Sequence, residues 1–99
     1  MKYEKYLLIK LAEEASEVAQ AAIKCSLFGY ESKDPREING ESNLIKLQKE
    51  LLDMTAVLLE LSEVSNSVNQ HSEVNEEQYI QSKRKKLNHY YDVAMNQTS

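Results

Sequence analysis

The chain has 99 residues, 41% of them hydrophobic and 28% charged, with a net charge of −4 and a pI of about 5.2. This size accommodates one domain, the composition fits a folded rather than a disordered chain, and the acidic balance disfavours broad nucleic-acid binding. No run approaches the ~20 apolar residues that cross a bilayer, and MKYEKYLLIK, with Glu4 and no small-residue cleavage site, does not read as a signal peptide.

Two Gly, one Pro and no Trp punctuate the chain so sparsely that a few long helices are expected. Residues 3–28 contain neither Gly nor Pro and read as one helix, with Leu8, Leu11, Ala15, Val18, Ala19, Ala22 and Ile23 at helical spacing. With Leu7 and Ile9 the apolar arc spans roughly 200° at ~100° per residue. That is wider than one packed face needs, so burial on two sides is expected, the second against another subunit. Cys25, the single cysteine, excludes an intrachain disulfide, suits a reducing cytoplasm and reads as a small, partly buried helix residue.

Gly29 to Ser42 holds both glycines and the proline and reads as a loop. Ser42 is placed to cap the next helix, although no capping box follows. Residues 43–64 form the second predicted helix, with Leu44, Leu47, Leu51, Met54, Leu58 and Leu61 along one stripe. Ser65 to Glu73 is a polar connector. Residues 74–95 read as a third, less apolar helix carrying Val74, Tyr79, Ile80, Leu87, Tyr90, Tyr91 and Ala94, and the last residues are expected to fray. The expected fold class is all-α: a bundle of three long helices per chain, completed by oligomerisation into a four-helix-type core.

Two acidic pairs share an i,i+3 spacing, Glu14 with Glu17 and Glu50 with Asp53. Each pair puts two carboxylates on one helix face. If the helices pack side by side, four oxygen donors converge, and like charges that close call for a hard cation such as Mg²⁺. Spacing alone does not single them out, because Glu60 with Glu63 and Glu73 with Glu76 share it. Angular position does more. With Glu50 at zero, Val57 falls at about −20°, Leu61 at about +20° and Met54 at about +40°. Glu50 thus lies within the apolar stripe and Asp53 at its edge. Glu14 lies at the boundary of the first stripe and Glu17 outside it, whereas Glu63 is on the polar side of the second helix. A carboxylate on an apolar face is costly without compensation, and for Glu50 a salt bridge to Lys46 is the alternative to a metal.

LAEEASEVAQAAIKCSLFG and, after the loop, NLIKLQKELLDMTAVLLEL resemble the all-α NTP pyrophosphatase (MazG-like) superfamily, in its compact, single-domain bacterial and phage-type branch. The signature of that superfamily is ExxE, a variable gap and ExxD on adjacent helices, matched here by Glu14, Glu17, Glu50 and Asp53. The likeness covers residues 7–61 well and the third helix loosely. It implies a helical bundle assembling as a homodimer or homotetramer. It also implies hydrolysis of a nucleoside triphosphate to the monophosphate and pyrophosphate, dependent on Mg²⁺ with Mn²⁺ as a substitute. The same four acids would be metal ligands and catalytic groups, one of them serving as general base, with Glu13 a further candidate for that role. The chain departs from the branch in two places. Thirty-two residues separate Glu17 from Glu50, at the long end of the pattern, and Leu27 precedes Phe28-Gly29 where Arg is frequent.

Lys24 extends the Glu17 face by about two turns and is a candidate phosphate contact. Lys83, Lys86 and Tyr90 share a face of the third helix, and the resemblance implies substrate contacts there from Lys83 and, upstream, Asn75. The alternatives are a solvated basic face and a packing tyrosine. His71 and His89 lack Cys or His partners at zinc spacing. Two other functions compete: a non-enzymatic helical interaction or regulatory module, which would bind no Mg²⁺, and a nucleic-acid contact through SKRKK, for which one basic turn offers few phosphate contacts.

Overall fold

A computed structural model describes residues 2–65 and 74–98. They form three helices and no strand: α1 (Lys2–Phe28), α2 (Asn43–Val64) and α3 (Glu76–Thr98). The chain divides into two compact units, Met1–Asn69 and Gln70–Ser99. Most of the predicted connector, including His71, lies outside the described residues. Among the described residues no helix is long and apolar enough to cross a membrane.

The first unit is an antiparallel hairpin of α1 and α2. Tyr3, at the start of α1, donates to Glu60 near the end of α2 at 3.1 Å. Their contact follows a coiled-coil rhythm of alternating three- and four-residue steps. Leu7, Leu11, Glu14, Val18, Ala21 and Cys25 make one seam, and Asn43, Leu47, Glu50, Met54, Val57 and Leu61 make the other; every one is buried or half-buried. At the open end of the hairpin, Leu7 and Leu61 are the buried apolar side chains among the described residues. Each contributes roughly 1.5–3 kcal/mol of transfer free energy.

The first stripe read from the sequence differs from this seam. Leu8, Ala15, Ala19, Ala22 and Ile23 are exposed in the hairpin. The wide arc merges two faces, one turned to α2 and one exposed in the hairpin, so a stripe drawn through both misses the centre of the real contact. As a result Glu14 is central to the seam rather than at its edge.

The loop between the helices is tied at both ends. Gly29, at φ +90°, ends α1 and donates its amide to Cys25. A left-handed residue is the usual helix terminator, and glycine adopts it without steric cost. Ser42 caps α2 as expected, its Oγ accepting from the Ile45 amide at 3.3 Å. The first α2 amides, which lack partners within the helix, donate back to the loop: Asn43 to Ser32 at 2.8 Å and Leu44 to Tyr30 at 2.9 Å.

The second unit contains α3, which begins two residues later than predicted and runs three further. Asn75 caps it, its side-chain oxygen accepting from the Gln78 amide at 3.0 Å, and Glu76 and Glu77 in the first turn complement the helix dipole.

Candidate metal centre

The hairpin brings Glu14, Glu50 and Asp53 together. One carboxylate oxygen from each lies within 4.8 Å of the others. Glu14 and Glu50 face each other across the seam because each takes a position that an apolar residue would otherwise fill. Asp53, three residues beyond Glu50, reaches the same point from the exposed rim.

The two seam glutamates are poorly compensated. Glu14 Oε2 and Glu50 Oε2 are buried and accept no hydrogen bond. Burial raises the Glu14 carboxyl above its ordinary range, and the charges of Glu17 and Asp53 add to this. Glu50 is raised by a hydrogen bond with Glu17, which requires a shared proton, then by burial and by the charges around it. Glu17 therefore belongs to the cluster through Glu50, although it is not one of the three converging oxygens.

Among the described residues no cation forms an ion pair with Glu14, Glu50 or Asp53, and the charge of Lys10 offsets that of Glu14 only in part. Lys46, the candidate partner for Glu50, instead donates to Glu37 at 3.0 and 3.2 Å. Lys10, one turn before Glu14, pairs with Glu13 at 2.9 Å, which also engages Glu13 away from the cluster. The salt-bridge alternative for Glu50 is thus not the arrangement adopted. A buried carboxylate oxygen without a partner is costly, and two of the three converging acids each carry one. The donor set is all hard oxygen, which suits Mg²⁺ with water completing its shell.

A concavity of about 350 Å³ adjoins the acids, lined by Glu17 and Lys24 of α1 and by Lys46, Lys49 and Glu50 of α2. A second of the same volume, lined by Phe28, Lys33 and Arg36, shares Lys24, Asn43 and Lys46 with it. Lys24, a candidate from the sequence, is thus on the same side of the hairpin as the acids. Lys46 and Lys49 join it there, beyond the substrate contacts expected from the sequence. Their placement one turn or less before Glu50 was the available signal.

The candidates on the other unit are described by themselves. Lys83, Lys86 and Tyr90 are exposed on α3. Asn75 is engaged as the cap of that helix and, with Ser82 and Lys85, lines a shallow concavity. Comparison of the chain with family profiles, with curated proteins and with solved structures gives no match.

Proposed function

We propose that this protein is a Mg²⁺-dependent nucleoside triphosphate pyrophosphohydrolase, converting an NTP or dNTP and water to the monophosphate and pyrophosphate. The carrying observation is the pair of seam glutamates, each with a buried carboxylate oxygen lacking a hydrogen-bond partner, converging with Asp53. The resemblance of the ExxE and ExxD segments to MazG-like enzymes supplies the reaction class.

Glu14, Glu50 and Asp53 would hold the cation, with Glu17 alongside. When bound, the ion supplies positive charge that offsets the carboxylates and the phosphate oxygens of the substrate. The residues do the remainder. Glu50, whose carboxyl is held above its ordinary range, is the group that would take a proton from an attacking water. Attack at the α-phosphorus breaks its bond to the bridging oxygen, and pyrophosphate leaves with that oxygen. Lys24 offers a cation on the phosphate side of the groove.

The reading includes assembly into a homodimer or homotetramer, with two hairpins forming a four-helix core. Its support is the exposed apolar face of α1 and α2, where Leu8, Leu51 and Leu58 are each more than two-fifths exposed. That face also supports the second reading, a helical interaction module. Calorimetric titration with Mg²⁺ separates the two, since the module has no use for the ion.

The direct test is a panel of canonical and modified NTPs and dNTPs assayed with Mg²⁺. Release of pyrophosphate from at least one is expected, and none from any of them, with folded protein, would sink the enzymatic reading. Glu50→Gln is expected to lower turnover by ~10³-fold or more while far-UV circular dichroism stays unchanged.

A further inference from the structure

The groove beside the acids carries three lysines, and two of them are already occupied. Lys46 donates to both carboxylate oxygens of Glu37, and Lys49 pairs with Glu41 at 2.6 Å. Both acids belong to the loop between the helices. Lys46 is one turn before Glu50, ~6 Å along the axis for four residues, and lies on the groove side with Lys24 and Glu17. A polyphosphate whose α-phosphorus sits at the acids extends over about that distance.

Glu37 occupies a built position. Its amide donates to Asp34 at 3.1 Å, its carbonyl accepts from Gly40 at 3.4 Å, and Asn39 between them takes φ 60°. Two successive tight turns therefore aim its side chain back at α2. Gly40 leaves the room: a Cβ there would stand 2.8 Å from both the Cβ and Oε2 of Glu37. The carboxylate thus presents two anionic oxygens to Lys46, the same chemistry that a terminal phosphoryl group offers.

We propose that Lys46 anchors the β,γ-phosphates of the substrate, and that Glu37 is a resident counter-ion which the polyphosphate displaces. The proposal rests on the polyphosphate-hydrolase reading above and deepens it. It makes the loop responsive to substrate: once the lysine turns to phosphate, Glu37 is released and repelled by the incoming charge.

A structural role for the Lys46–Glu37 pair and a substrate-anchoring role give opposite signs. If the pair only pins the loop, removing either partner weakens binding in the same way. If Lys46 anchors phosphate, removing it weakens binding while removing Glu37 strengthens it. The probe is inorganic tripolyphosphate, titrated calorimetrically into the full chain with saturating Mg²⁺ and again with a chelator. Lys46→Met is expected to weaken binding ~10-fold or more, and Glu37→Gln to tighten it a few-fold, as fits loss of a half-exposed competing ion pair. Wild-type affinity in Lys46→Met, or weaker binding in Glu37→Gln, overturns the proposal, as does a wild-type protein that does not bind tripolyphosphate. A wild-type protein that binds it with these mutant signs, yet hydrolyses no nucleotide, removes the enzymatic reading and leaves the phosphate anchor standing.

Discussion

At the scale of the residue, Glu14 and Glu50 set the terms of the site. Each is a carboxylate in a row of apolar neighbours, and each is easier to protonate in the folded chain than in water. The linkage has a definite sign. A carboxyl whose folded pKa is raised favours the folded state while protonated. That contribution is lost as pH rises through the unfolded and then the raised folded value. The metal-free protein is therefore destabilised by these two groups at neutral pH, and under the proposed function a divalent cation would relieve it. Glu50→Gln, which mimics the protonated form, is expected to raise the melting temperature of the chelator-treated protein by several degrees at pH 7. The difference should vanish as pH falls below the ordinary carboxylate range. Mg²⁺ should raise the wild-type melting temperature at pH 7 and have little effect on the variant. Thermal scans at several pH values check all three, and a variant less stable than wild type at pH 7 would refute the account. Glu50 was legible in the sequence because Val57 and Leu61 bracket it within about 20° on the helical wheel, although the stripe drawn there also took in Leu51 and Leu58, which are exposed in the hairpin. Glu14 was legible as a candidate but not as a central one, because the apolar arc around it belongs to two faces whose mean direction points between them.

At the scale of the element, the helices end where punctuation and caps put them. The α2 bounds follow from Ser42 and from the polar residues after Val64, and both were readable. The path of the loop was not, because it depends on contacts that no local pattern announces. Its anchor is Asn43, buried at 8% exposure, whose Nδ2 donates to the Gly29 carbonyl at 3.2 Å across the base of the loop, at the closed end of the hairpin. Its own amide holds the Ser32 carbonyl. Asn43→Ala keeps the backbone bond and removes the side-chain bond, leaving the Gly29 carbonyl without that partner. A cost of ~1–2 kcal/mol is expected, with faster proteolysis within residues 29–42 as the local readout. Unchanged unfolding and unchanged cleavage would show that the loop is held elsewhere. The pairing of Lys46 with Glu37 rather than with Glu50 belongs to the same class of feature. Helix spacing offered Lys46 to Glu50 at i,i+4, but two turns of the loop brought a competing carboxylate from outside the helix.

At the scale of the whole molecule, the hairpin has two unlike sides. On helical wheels centred on Glu14 and Glu50, Glu17, Lys24, Lys46 and Asp53 fall roughly 40–80° to one side of the seam. Leu8, Ala15 and Ala22 of α1, with Leu51 and Leu58 of α2, fall roughly 80–120° to the other. In an antiparallel pair equal rotations lead to the same face, so one side collects the charged groove and the opposite side collects the apolar residues. Two helices that expose such a face lack the burial that makes small domains stable, and under the proposed function a second hairpin laid against it would form a four-helix core without touching the groove. Sedimentation equilibrium is therefore expected to give two or four times the 11.4 kDa chain mass. Leu58→Asp places a charge in the centre of the apolar side, away from the acids. It is expected to shift the protein toward the 11.4 kDa species and to lower its melting temperature, because an unpaired carboxylate is costly in an apolar contact. A concentration-independent monomer for the wild-type chain would refute a second copy as the cover of this face. An oligomer that Leu58→Asp leaves intact would place the contact on another surface.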